Sequence, residues 1–145
     1  MKIAQLIIAS AFALTANFAY AGELGDFCTT GLSMGKTIAT DCSINAELDG
    51  KTYCFGNEEA KEMYMKDPQG VVDKATKFYS KVQFGGHCTT GLSMGKLIAT
   101  DCSIQVSRGG KVYCFGNEEA KEMYMQQPKT IIKKATAFYN SEMKK

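Results

Sequence analysis

The sequence predicts an α+β protein built from two small, pseudo-symmetric modules. Two observations support this prediction: the chain repeats itself, and each copy carries the signals of one β-hairpin with flanking helices. Every repeated segment lies 60 positions further along, as from Cys28 to Cys88, so no insertion shifts one copy against the other. Such a repeat indicates one structural unit made twice. The repeated segments are residues 28–36, 38–44 and 53–65, which return as 88–96, 98–104 and 113–125.

The module boundaries are predicted at residues 22–83 and 84–145. Each module has about 60 residues, which is near the lower limit for a self-sufficient hydrophobic core. The link between them, residues 81–86, is short. We therefore expect the two modules to pack on each other as one body and not to behave as separate beads.

Each module is predicted to open with a short helix or turn and to continue into a hairpin. In the first module the opening segment, residues 28–36, ends near Gly35. Strands at residues 43–48 and 51–55 then flank Asp49 and Gly50, a strong hairpin signal, and two glycines take the same place in the second module. A two-residue turn predicts that Asn45 faces Cys54 across the hairpin.

Two helices are predicted after the hairpin. Asn57 can cap the first, which carries acidic residues in its first turn, as the helix dipole favours. Its apolar residues recur at helical spacing and are expected on the buried face, Met63 among them. Pro68 ends this helix and begins the next. The apolar stripe of that second helix is predicted from Val71 or Val72, Ala75, and Phe78 or Tyr79, repeated as Ile131, Ile132, Ala135, Phe138 and Tyr139.

Residues 1–21 are predicted to be a secretory signal peptide. Lys2 supplies a positive start, residues 3–14 form an apolar run, and Ala19, Tyr20 and Ala21 form a small-x-small cleavage site. The apolar run is shorter than the about 20 residues that a membrane-spanning helix needs. We therefore expect cleavage after Ala21, export to a bacterial periplasm, and no membrane insertion of the mature chain.

Charge and motifs argue against two function classes. The net charge of the chain is +2, and loss of Lys2 with the signal peptide leaves about +1, which is no basis for binding nucleic acid. The chain contains no G-x-S-x-G, no phosphate loop, no H-E-x-x-H and no Cys–His pair that occurs in both copies. The acidic residues are explained by helix capping. We therefore predict that the protein is not an enzyme.

The cysteines are the residues from which a site is predicted. Each module carries three, so at least one thiol per module has no disulfide partner within that module. Thiolates select Cu(I), zinc or iron–sulfur clusters, and no C-x-x-C of a zinc finger is present. An oxidising periplasm favours disulfides instead. Both readings remain open at this point for the six cysteines, which are Cys28, Cys42, Cys54, Cys88, Cys102 and Cys114.

Hairpin geometry places one condition on any disulfide. Faces alternate along a strand, so the predicted register puts Cys42 and Cys54 on opposite faces. A Cys42–Cys54 disulfide therefore requires a bend or bulge at residues 41–43.

Three other residues are candidate auxiliary ligands. Met34 and Met94 lie close to the first cysteine of each module, and thioethers reinforce a Cu(I) site. His87, the one histidine of the chain, stands beside Cys88. Met63 and Met123 are instead predicted to fill the core.

Residues 49–68 and their copy, 109–128, resemble a YHS domain, which reads approximately G-K-x-Y-Y-F-x-S-x-x-x-K-x-x-F-x-x-x-P. Residues 84–96 look like the G-G-Y-C segment of exported members. The resemblance covers nearly all of both copies and implies a small α+β module related to TRASH-type domains of heavy-metal trafficking, resistance and sensing. Cysteine-bearing members have F-C-S-x-x-C, whereas this chain has Gly56 and Ala60 at those ligand positions. Any site must therefore use the six cysteines named above.

Together these observations predict a periplasmic protein that binds a soft metal ion, Cu(I) before any other, through cysteine thiolates. It would act as a chaperone, buffer or resistance factor and exchange metal with a periplasmic donor or acceptor protein. The alternative is a disulfide-stabilised interaction module with no metal role.

Overall fold

The computed structural model describes residues 22–145, and the predicted signal peptide lies outside them. The predicted α+β class is confirmed, because each module has a short helix, one two-stranded antiparallel hairpin and two further helices. A short 3-10 turn, Phe84–Gly86, lies between the modules. The elements are α1 Thr29–Ser33, β1 Ile44–Leu48, β2 Lys51–Phe55, α2 Glu58–Lys66 and α3 Pro68–Tyr79, followed by α4 Thr89–Ser93, β3 Ile104–Arg108, β4 Lys111–Phe115, α5 Glu118–Gln126 and α6 Pro128–Glu142.

The hairpin has the predicted register, with Asn45 opposite Cys54. Asp49 and Gly50 both have positive φ, 52° and 75°, as a type I′ turn requires. The β3–β4 hairpin keeps the same register around Gly109 and Gly110. The turn therefore determines which side chains each hairpin presents to the core.

The helix boundaries also follow the sequence. The Asn57 side chain accepts a hydrogen bond of 2.8 Å from the Ala60 N–H and begins α2. Asp67 ends α2 and caps α3, where Pro68 takes the first position. The predicted stripe of α3 faces the core, with Val72 and Ala75 buried. Helix α1 packs against α3, as α4 does against α6 in the second module.

A buried tyrosine lies at the centre of each module. The ring centroid of Tyr64 is 4.9 Å from that of Phe55, and Tyr124 lies 5.0 Å from Phe115. Burial raises the pKa of both tyrosines, which keeps their phenols neutral. Tyr64 is the buried residue of α2, so this helix contacts the core along a narrow part of its surface.

The prediction that Met63 and Met123 fill the core is wrong. Their exposed fractions are 44% and 42%. Tyr64 occupies the position toward the core, so the neighbouring Met63 lies at the edge of the buried strip. The apolar periodicity of α2 extends beyond the part of the helix that is covered.

The two modules contact each other through unlike surfaces. The buried Thr37 donates from its backbone N–H to the Asp101 carbonyl, at 2.9 Å, and from Oγ1 to the Thr100 carbonyl, at 2.8 Å. Leu97, which takes the place of Thr37 in the second module, is 51% exposed. The contact is therefore head-to-tail and does not follow a twofold axis.

Within residues 22–145, none of the helices combines the length and the apolar composition needed to cross a bilayer.

Replacing Thr37 tests the contact between the modules. We expect Thr37→Val to lower the free energy of unfolding by about 1–3 kcal/mol, because the Thr100 carbonyl loses its partner within the interface. Urea denaturation measures this change. Leu97→Val is the matched control, and at an exposed position it should change stability by no more than about 0.5 kcal/mol. Equal effects of the two substitutions would contradict the role of Thr37.

Candidate functional site

Four of the six cysteines are joined in disulfides. The pairs are Cys42–Cys54 and Cys102–Cys114, each with Cα atoms 4.8 Å apart. The two remaining cysteines, Cys28 and Cys88, are buried and free. The odd thiol of each module is thus its first cysteine, and these two are the thiols that this form of the protein offers as ligands.

A bend at Cys42 makes its disulfide compatible with the hairpin register. Cys42 has φ of 59°, in the left-handed region, and Cys102 has φ of 56°. The Asp41 carboxylate accepts a 3.0 Å hydrogen bond from the Ser43 N–H and so closes a tight turn around Cys42. This bond lowers the pKa of Asp41. The predicted requirement for a bend at residues 41–43 is confirmed.

The first cysteine of each module begins a short helix. Cys28 Sγ accepts a hydrogen bond from the Gly31 N–H at 3.4 Å, and Cys88 does the same with Gly91. Thr30 on α1 donates from Oγ1 to the Ala60 carbonyl on α2 at 2.6 Å. Because this bond ties α1 to α2, the surface between the two helices has a fixed shape.

A groove of about 240 Å³ runs between α1 and α2 of the first module. Cys28, only 3% exposed, contributes to its lining, and the more open side chains of Met34 and Met63 line it as well, at 57% and 44% exposed. The complete lining consists of Cys28, Thr30, Gly31, Met34, Ile38, Gly56, Asn57, Glu59, Ala60 and Met63.

The second module carries an equivalent groove of about 280 Å³ between α4 and α5. All ten residues that line the first groove have identical counterparts 60 positions later. Elsewhere the copies differ, as where residues 45–49 (NAELD) become 105–109 (QVSRG). The second groove thus repeats the thioether pair, whereas Cys88 does not contribute to its lining. The residues that line the second groove are Thr90, Met94, Asn117, Glu119, Ala120 and Met123.

The remaining candidate ligand lies outside both grooves. Nδ1 of His87 is 2.8 Å from the Phe84 carbonyl, and its ring centroid lies 6.1 Å from that of Tyr139. His87 therefore belongs to the joint between the modules. Within residues 22–145, no three or more His, Cys, Asp or Glu side chains form a cluster able to hold a metal ion.

The donor set of the first groove is soft. It offers one thiol, from Cys28, and two thioethers, from Met34 and Met63. Met34 was predicted to be an auxiliary ligand, whereas Met63 was predicted to fill the core. Thiolate and thioether donors fit Cu(I), whereas zinc favours thiolate, imidazole and carboxylate ligands. The signal that would have identified Met63 is its i, i+3 spacing from Ala60, which lines the same groove.

A thiol count checks the cysteine assignment. The untreated, denatured protein should take up iodoacetamide at two residues, Cys28 and Cys88, while the other four remain blocked until a reductant is added. Each disulfide removes two hydrogens, so the intact mass should lie about 4 Da below that of the reduced chain. Alkylation of Cys42 or Cys102 without reductant would contradict the assignment.

Similarity to known proteins adds nothing to this description: no protein-family model, curated protein or solved structure matches the chain. The duplicated groove is therefore the basis for inferring function.

Proposed function

We propose that the protein binds a soft metal ion, Cu(I) in the first place, with one site in each groove. The observation that supports this is the pairing of a buried thiol with two exposed thioethers in the first groove. All ten lining residues recur 60 positions later, and Met94 and Met123 again line the second groove. In the first module the ligands are Cys28, Met34 and Met63. In the second they are Cys88, Met94 and Met123.

The groove residues have separate tasks in this proposal. Cys28 supplies the anionic ligand, and its hydrogen bond from the Gly31 N–H holds Sγ at the start of α1. Met34 and Met63 are unbranched and project from opposite helices, so they can adjust to the ion. Copper here is cargo that is bound and passed on. A site with few ligands and an open side leaves room for a donor or acceptor protein to contact the metal.

The two disulfides support the assignment to an oxidising compartment. A module of this size gains stability from a covalent staple, and exported proteins commonly use one. Because the disulfides take four cysteines, only the groove thiols remain to bind metal. We therefore assign the protein to the periplasm, as a copper chaperone, buffer or resistance factor.

A second candidate function rests on the same disulfides. If all the cysteines serve stability, the protein is an interaction module, and its grooves accept apolar side chains of a partner. Exposed methionines suit such binding because they repack easily. The two proposals differ in one property, which is whether binding at the groove depends on the thiol.

Copper titration tests the metal proposal. Native mass spectrometry of the oxidised protein under anaerobic conditions should show two Cu(I) ions per chain. Cys28→Ser should leave one ion and Cys28→Ser/Cys88→Ser none, because each groove loses its anionic ligand. Met34→Leu/Met63→Leu should weaken binding in the first groove by roughly tenfold or more.

Met65→Leu/Met125→Leu is the matched control for these variants. It removes two exposed thioethers outside the groove lining, so copper binding should not change. Full binding of two copper ions by the Cys28→Ser/Cys88→Ser protein would exclude these sites and leave the interaction module as the better reading.

A further inference from the structure

A further recess, separate from the two grooves, lies at the junction of the two modules. This junction cleft, of about 310 Å³, runs between α3 of the first module and the β3–β4 hairpin of the second. Lysines line one side and polar residues the other, with apolar residues between them. The lining residues are Lys74, Lys77, Phe78, Lys81, Gln105, Ser107 and Val112.

The lysines of the cleft have no acidic partner in the part of the chain that the structure describes. The salt bridges there pair Lys51 with Glu23, Lys121 with Glu118 and Lys145 with Glu142. No Asp or Glu contributes to the lining of the cleft. The three exposed ammonium groups therefore produce a positive potential across it.

The two copies differ in charge where the cleft lies. On the helix side, Lys77 and Lys81 take the places of Ala137 and Ser141. The helix α6 instead carries Lys129 and Lys133, which lie outside the cleft, so the lysines of the first module are the ones placed at the junction.

The hairpin side shows the complementary change. The first module has two acidic residues in its β1–β2 hairpin, and the second has none at those positions but gains an arginine. At the positions that line the cleft, both sides of the junction are thus more positive than their counterparts in the other copy. The hairpin replacements are Ser107 for Glu47, Arg108 for Leu48 and Gly109 for Asp49.

We propose that the junction cleft is a docking site for an acidic, extended segment of a partner protein. Lys74 and Lys77 lie on α3 and Lys81 lies two residues beyond its end, so the Cα atoms of the three lysines extend over about 10 Å. Acidic residues at alternate positions of an extended chain share one face and lie about 7 Å apart, so two of them fall within that span. Such a segment turns its acidic face to the lysines and its apolar face to Phe78 and Val112.

A compact anion fits this cleft less well. A phosphate group cannot contact ammonium groups spread over about 10 Å. The cleft also lies toward the C-terminal end of α3, where the helix dipole disfavours an anion. Lysine also lacks the planar guanidinium group with which arginine donates two hydrogen bonds to one phosphate. This docking role does not depend on metal binding at the grooves.

Fluorescence anisotropy with a labelled, end-blocked peptide of alternating glutamate and leucine tests the proposal on the full mature protein. We expect saturable binding that weakens as salt is raised. Lys77→Ala/Lys81→Ser introduces the residues that α6 carries at the same positions, so α3 should fold, and the affinity should fall about tenfold. Ser107→Glu/Gly109→Asp restores the acids of the first module and should also weaken binding.

The matched control is Lys129→Gln/Lys133→Gln, which removes two positive charges from α6, outside the cleft. Its affinity should change less than twofold, and an equal loss would overturn the proposal by assigning binding to net charge. Displacement of the peptide by an equal concentration of pyrophosphate would overturn it in favour of a compact anion. So would cleft-dependent binding to phosphatidylglycerol vesicles without binding of the peptide.

Discussion

One disulfide determines the shape of each module. It joins a cysteine whose backbone is in the left-handed region, Cys42 or Cys102, to the second strand of the hairpin. Between α1 and β1 the chain runs for ten residues without a helix or a multi-residue strand, and this stretch carries the residues that meet both the groove and the other module. Cys42 connects the end of this stretch to Cys54, near the open end of the hairpin. Within the stretch, the Ile38 carbonyl accepts a hydrogen bond of 2.8 Å from the Cys28 N–H, and the Thr37 N–H donates to the Asp101 carbonyl of the other module. The disulfide and these hydrogen bonds together hold the stretch in place.

The two copies have the same residues at the groove and different residues at the junction between the modules. The groove between the first and second helices is kept residue for residue, although its two instances lie in different surroundings. The surface at the junction has changed: Thr37 is buried where Leu97 is exposed, and lysines stand where α6 has Ala137 and Ser141. The two copies thus keep the same groove residues and differ at the surface where they meet.

Most of the fold was predictable because local signals agree with the tertiary structure. The Asp49-Gly50 turn sets the hairpin register, and Asn57 and Pro68 set the helix boundaries. Two features were beyond such reasoning. Whether Met63 is buried depends on how much of the surface of α2 the core covers. The spacing of apolar residues along the helix does not give the width of that covered surface. The disulfide depends on a single left-handed residue, Cys42, whose side chain a regular strand would turn the other way.

The head-to-tail contact uses side chains that only one copy carries at each position. Gln105 donates from Nε2 both to the Cys102 carbonyl and to the Gly35 carbonyl of the other module. Its counterpart Asn45 is one methylene shorter and donates to the Cys42 carbonyl within its own loop. Leu97, at the opposite end, has no hydroxyl to replace that of Thr37. The side-chain hydrogen bonds across the contact therefore belong to Thr37 and Gln105, and their counterparts Leu97 and Asn45 do not form them.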